Sequence, residues 1–182
     1  AAIIQAPAPS NQDLVTAAIC AGSMRTVAIY AADTWTSTPA ITVGTYLPKT
    51  RAVATAALDL LPKEVLIEFT NGSFVAASLA HQGKGIAVYG FADGATLPKM
   101  TSPVLVASSD LKLGQTVLAL GTDGSASTGI VARVCAKGVQ TTLPNIGVGS
   151  AAVDLSGNLV GISGGEVPGL LISADKISAL LI

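Results

Sequence analysis

The chain has 182 residues, of which 50% are hydrophobic and only 12% charged, enough to bury a core and too apolar for a disordered segment. Its 10 basic and 11 acidic residues leave a net charge of −1 with no Lys/Arg cluster, which argues against nucleic-acid binding and against a basic membrane-binding face. Aromatic residues make up 4%, so the core is expected to be mainly Ala, Val, Leu and Ile, and 19 Gly with 9 Pro favour many short strands.

Residues 1–10, AAIIQAPAPS, read as an N-terminal tether with a short apolar start and a Pro/Ala/Ser run. They have two readings: a frayed terminus, or the trimmed end of a signal or membrane-anchor segment upstream of residue 1. No uninterrupted apolar run approaches the roughly 18 residues needed to span a bilayer. Asn11 to Ala21 is expected to form a short helix, capped by Ser10 or Asn11, with Leu14, Ala17, Ala18 and Ala21 on one face.

From Met24 onward strands dominate. MRTVAIYAA, AITVGTY and RAVATAAL are apolar or alternating runs of strand length. Asn71-Gly72 stands between EVLIEFT and SFVAASLA and is expected to form a tight type I′ turn, with positive φ at both residues. GIAVYGF, PVLVASS, QTVLALG and STGIVARV follow, then a strand around Ala151–Val153, NLVGIS and PGLLIS. About a dozen strands separated by turn signals imply a sandwich or barrel. The last segment, SADKISALLI, is expected to be a helix with Ser173 as its cap. No internal sequence repeat is visible.

Cys20 and Cys135 stand far apart, with no C-x-x-C or Cys/His cluster, so neither a metal site nor a cofactor is expected. Two buried free thiols are the expected state. A long-range disulfide is the alternative if the protein works in an oxidising compartment.

LGQTVLALG, STGIVARV, VQTTLPNIGVGSAAVDLSGNLVGI and GLLISADKISALL occur in that order. The series resembles the C-terminal half of trypsin-like serine proteases, closest to the HtrA/Deg branch. Upstream, RAVATAALD resembles the segment that carries the family's histidine, EVLIEFTNGSFVAASLA the hairpin after it, and GKGIAVYGF the strand that carries its aspartate. The likeness runs from about Met24 to Leu181 and rests on order and spacing rather than on one motif. It implies an all-β fold of two packed six-stranded antiparallel barrels with a cleft between them. Residues 11–100 would hold the short helix and first barrel, and residues 101–182 the second barrel and C-terminal helix.

That chemistry needs a serine nucleophile, a histidine to take its proton and an aspartate to orient the histidine. Laid on the family's pattern, the histidine position falls on Ala57 and the aspartate position on Gly85. The nucleophile loop is one residue short, so the serine position falls on Val148, Gly149 or Ser150, and Ser150 is the one candidate hydroxyl. No catalytic residues are therefore assigned. The one histidine, His81, is expected in a solvated turn, Asp59 has no imidazole to orient, and no spacing brings Lys84 or Lys137 to Ser150.

Backbone N–H groups of Gly147, Gly149 and Ser150 are candidates for a remnant anion-binding curve. Ile162, Ser163, Gly164 and Gly165 occupy the position at which the family pairs with a substrate backbone, so they are candidates for binding an added peptide strand. The resemblance thus implies a pseudoprotease that binds an extended peptide or partner protein in the cleft and works outside the cytoplasm. Two alternatives stay open: an active hydrolase using a displaced Ser150 with a non-standard base, and a purely structural domain.

Overall fold

The computed structural model describes residues 6–33, 39–57, 61–121, 123–144 and 146–182. Helix α1 (Asn11–Arg25) opens with a capping box. The Ser10 hydroxyl accepts from the Asp13 N–H, and the Asp13 carboxylate accepts from the Ser10 N–H at 3.0 Å. The helix runs four residues beyond the expected end, through Gly22, because that glycine is a contact point and not a terminator. A Cβ there would overlap the Leu120 side chain. The face that packs is Ala18, Gly22 and Arg25, while Leu14 and Ala17 lie exposed.

Strands β1 (Thr26–Ala31), β2 (Thr42–Leu47), β3 (Ala52–Ala56), β4 (Glu64–Glu68), β5 (Phe74–Gly83) and β6 (Ile86–Phe91) close into one antiparallel barrel. Strands β7 (Thr116–Leu120), β8 (Ala126–Cys135), β9 (Gly138–Thr141), β10 (Ala151–Val153), β11 (Leu159–Ser163) and β12 (Leu170–Ser173) close into a second. Helix α2 (Ala174–Leu180) ends the chain, with Ser173 at the N-cap position but its side chain making no capping bond. The expected fold class, all-β with two six-stranded barrels and a helix near each end, is the one observed.

Two strand assignments change. PVLVASS is not a strand but the connection between barrels, touching the sheet through one bridge, Leu105 to Leu159. Pro103 lacks an N–H to give a ladder, and Val104 is 63% exposed. GVQT, unassigned above, forms β9 instead.

The Asn71-Gly72 turn is also of a different type. Only Gly72 has positive φ, at 82°, and Phe69 and Ser73 close a three-residue loop in which the Ser73 N–H donates to the Asn71 side chain at 2.9 Å. That is a type I turn with a glycine bulge. The type I′ turn lies at Gly83–Ile86, where Lys84 (φ 54°) and Gly85 (φ 81°) are both left-handed.

The interface between barrels follows from strand alternation. On β3, Val53 points into the first barrel, while Ala52, Ala54 and Ala56 face the second. Strand β6 divides likewise, with Ala87 and Tyr89 inside and Ile86 and Val88 between barrels. Ala151, Leu159 and Ile162 meet them from the other side, with Ile177 of α2 in the same cluster. Small alanines let the two sheets approach closely. The terminal helix α1 precedes the first barrel in the chain yet packs on Leu118, Leu120 and Val153 of the second. Its buried Arg25 donates to the carbonyls of Thr101, at 3.4 Å, and Gly157.

Both cysteines are free thiols. Cys20 is exposed on α1 and Cys135 is partly buried at the end of β8, so neither matches the expectation of a buried thiol. Among the described residues no helix is long and apolar enough to cross a membrane.

Candidate functional site

Strand register brings the first two sequence candidates together. The Ala57 N–H donates to the Gly85 carbonyl at 2.8 Å, extending the β3–β6 ladder one step past the Ala56–Ile86 pair. Ala57 packs its methyl on the core of the first barrel, and Gly85 owes its identity to the left-handed turn position. A methyl and a hydrogen occupy this corner. Neither can accept, donate or orient a proton.

The loop before β10 is tied down from several directions. Gly149 has φ 84°, and a Cβ there would overlap the Val43 carbonyl oxygen and press on the Thr55 hydroxyl, so the loop lies directly against β2 and β3. The Thr42 hydroxyl donates to the Val148 carbonyl at 3.2 Å. Gly149 N–H donates to the Ser163 carbonyl at 2.8 Å, and Ser150 N–H to the Gly147 carbonyl at 3.1 Å. An oxyanion site needs free, converging N–H donors. Two of the three candidate donors are instead engaged by carbonyls of their own chain.

The segment proposed for strand addition is largely used up as well. Ile162 and Ser163 are buried, and Ile162 lies between Ala151 of β10 and Ile172 of β12. Ser163 N–H donates to the Ser150 carbonyl at 2.9 Å. Gly164 and Gly165 are partly open, but Val148 lies so close to Gly165 that a Cβ on that glycine would overlap it. Val148 thus covers one side of Gly165.

Two cavities lie near these candidates, and Val148 lines the larger. The larger, about 640 Å³, lies between the barrels. One wall is the stretch Pro39–Val43 leading into β2, and the other is the β7–β8 turn with Asp123, Ser125 and Ser127, together with the Ile146–Ser150 loop. Ser150 borders this groove but is only 4% exposed. Asp123 is the one ionisable residue on its described walls. The Ser125 hydroxyl and N–H both donate to Asp123, at 2.5 and 3.0 Å, and these bonds hold its carboxyl below the usual carboxylate range.

The smaller cavity, about 240 Å³, sits at the Ala57–Gly85 corner and reaches Gly164, Lys84, Lys137 and Glu166. It does not include Ser150, so both lysines belong to a different cavity from the only candidate hydroxyl. His81 lies within β5, opposite Val88 and exposed, rather than in the turn after it. It borders neither cavity. Asp59 falls outside the described residues. Among those residues no three His, Cys, Asp or Glu groups converge as metal ligands.

The groove walls at Pro39–Val43 and Asp123–Ser127 were not singled out from sequence. The signal available was the D-G-S turn at Asp123–Ser125, whose side-chain bonds mark an ordered turn and not a ligand site.

The two-barrel architecture is consistent with the trypsin-like fold that the sequence resemblance implies. No known family model and no curated protein matches the chain.

Proposed function

We propose that this chain is a trypsin-like pseudoprotease, nearest the HtrA/Deg branch, that holds an extended peptide or a segment of a partner protein in the cleft between its barrels, outside the cytoplasm. One observation carries the non-catalytic half of this reading. The two positions required to move and steady a proton are adjacent through the Ala57–Gly85 bond, and they hold only a methyl and a hydrogen. The engaged N–H groups of Gly149 and Ser150 support it further, because a nucleophile in that loop would lack oxyanion donors.

The binding half is supported by the 640 Å³ groove, walled by both barrels, where small Gly, Ala, Ser and Thr residues alternate with Ile41, Val43, Ile146 and Val148, leaving room for a main chain and apolar contacts for its side chains. This shifts the main-chain contacts from Ile162–Gly165, whose backbone is mostly occupied, to the groove that Ser150 borders.

A fluorophosphonate probe and an immobilised peptide array test the reading together. The expected result is no labelling of Ser150 and retention of extended peptides, lost on Ser127→Trp, which fills the groove. Labelling that disappears in Ser150→Ala would establish a hydrolase instead. A folded protein that retains no peptide would leave a structural domain as the better account.

A further inference from the structure

From the corner cavity at Ala57 and Gly85 we infer a carboxylate-binding pocket that receives an acidic group of the peptide held in the cleft. This inference rests on the peptide reading above and adds the chemistry of what is bound. The pocket is built by both barrels. Lys84 comes from the β5–β6 turn of the first, and Lys137 from the two-residue turn between Cys135 of β8 and Gly138 of β9 in the second. Glu166 joins them from the loop between β11 and β12. Two ammonium groups and one carboxylate leave one positive charge at the rim, and a single ligand carboxylate neutralises it.

The floor is apolar, formed by Ala56, Ala57, Leu171 and Ile172 with Val167 beside them. At about 240 Å³ the cavity takes one side chain rather than a whole ligand. A carboxylate on a short aliphatic stem suits both the floor and the rim. A Glu side chain within a peptide and a free C-terminus on an aliphatic residue share that chemistry.

The placement of Lys84 is locally unfavourable. It stands at the first central position of a type I′ turn with φ 54°, where Asn, Asp or Gly is preferred. A left-handed lysine costs about 1 kcal/mol or more. The turn chemistry therefore does not explain why a lysine stands at this rim.

The test uses three otherwise neutral pentapeptides carrying an uncharged BODIPY dye, read by fluorescence anisotropy: one with an internal Glu and an amidated C-terminus, one with Gln in its place and amidated, and one with that Gln, ending in Val with a free carboxylate. At least one carboxylate-bearing peptide is expected to bind roughly five- to tenfold tighter than the Gln peptide, as two exposed cation contacts allow. The peptide that does so identifies the source of the carboxylate. The preference should fall in the Lys84→Gln/Lys137→Gln double variant, rise in Glu166→Gln, and shrink as salt increases.

A merely structural role for these exposed residues predicts no such opposite shifts. If all three peptides bind equally, or if the lysine variants keep the carboxylate preference, the pocket assignment falls and the peptide reading stands. If none binds to protein shown to be folded by circular dichroism, both fall.

Discussion

The two barrels share one topology and almost nothing else. In each, the order of strands around the barrel is first, second, third, sixth, fifth, fourth. Yet the one Trp, three Tyr and three Phe all lie before residue 92, so the second barrel contains no aromatic residue. The first barrel is filled around Tyr46, Phe69 and Tyr89, with Phe91 packed against them. Tyr46 and Phe69 meet edge to face at 5.2 Å between ring centres. The second is filled by Val117, Val131, Val139, Val160 and Leu171 with small companions. The long bulged strand also differs: it is the fifth of the first barrel and the second of the other. Topology here depends on alternation and turns, while the volume inside each barrel is met by different side chains.

The largest effect that would test this contrast is in the aromatic cluster. Phe69→Ala removes a fully buried ring that touches Tyr46 and Phe91, and is expected to cost about 3–5 kcal/mol. Val160→Ala, at an equally buried position of the second barrel, removes two methyl groups and is expected to cost about 2 kcal/mol. Chemical denaturation of both variants measures the difference. Equal losses would mean that the aromatic core holds no special share of the stability.

The next test acts where the barrels meet. Gly149→Ala forces a Cβ onto the Val43 carbonyl in a left-handed backbone position, and is expected to cost roughly 2–4 kcal/mol. Gly147→Ala, in the same loop with ordinary φ and a nearest neighbour at 3.5 Å, is expected to change stability by less than about 0.5 kcal/mol. Comparable losses would show that the loop is not anchored on the first barrel in the way described.

A smaller, pH-dependent difference also separates the barrels. Burial pushes the Tyr89 hydroxyl up to about 12 from its ordinary 10.0, and the hydroxyl donates to the Pro62 carbonyl at 2.7 Å. The unfolded chain releases this proton first as pH rises, so the contribution is intact below pH 10 and is lost between about 10 and 12. About 2 kcal/mol should disappear over that window. Tyr89→Phe should remove this part of the alkaline slope. An unchanged slope would assign the loss to other groups.

Much of the fold was readable because each strand carried its own evidence. Alternation in EVLIEFT marked a strand with one face inward, the continuous apolar run of GIAVYGF marked one buried on both faces, and glycine-bearing pairs marked turns. The misreadings arose where a local signal competed with tertiary contact. PVLVASS has strand composition, but the barrels' connection passes there and only Leu105 bridges to the sheet. GVQT is too short to announce itself, and becomes a strand because β8 and β12 lie on either side. The Ala-rich helix α1 has no dominant apolar stripe, so its buried face was set by Leu118 and Leu120 rather than by its own pattern. At the site, the absence of an imidazole or a carboxylate at Ala57 and Gly85 was legible. The closure of the loop was not, because the cover that Val148 places over Gly165 depends on how the Ile146–Ser150 loop seats against the other barrel.

The smallest expected effect is the most informative about function. Placing a histidine and an aspartate at the corner, Ala57→His with Gly85→Asp, asks whether the second barrel supplies a competent nucleophile. Aspartate at position 85 must adopt φ near 81° and place its Cβ about 3.3 Å from the Ile172 side chain, which should cost about 1–2 kcal/mol and lower the denaturation midpoint. Hydrolysis of a fluorogenic peptide or ester is nevertheless expected to stay at the buffer rate. Ser150 is only 4% exposed and borders a different cavity from the new pair, and the N–H groups of Gly149 and Ser150 remain bonded to Ser163 and Gly147. A buried hydroxyl without oxyanion donors does not support acyl transfer, even with a general base nearby. Turnover in the double variant that vanishes on adding Ser150→Ala would reverse the contrast, showing that Ser150 acts as a nucleophile once the first barrel supplies a base.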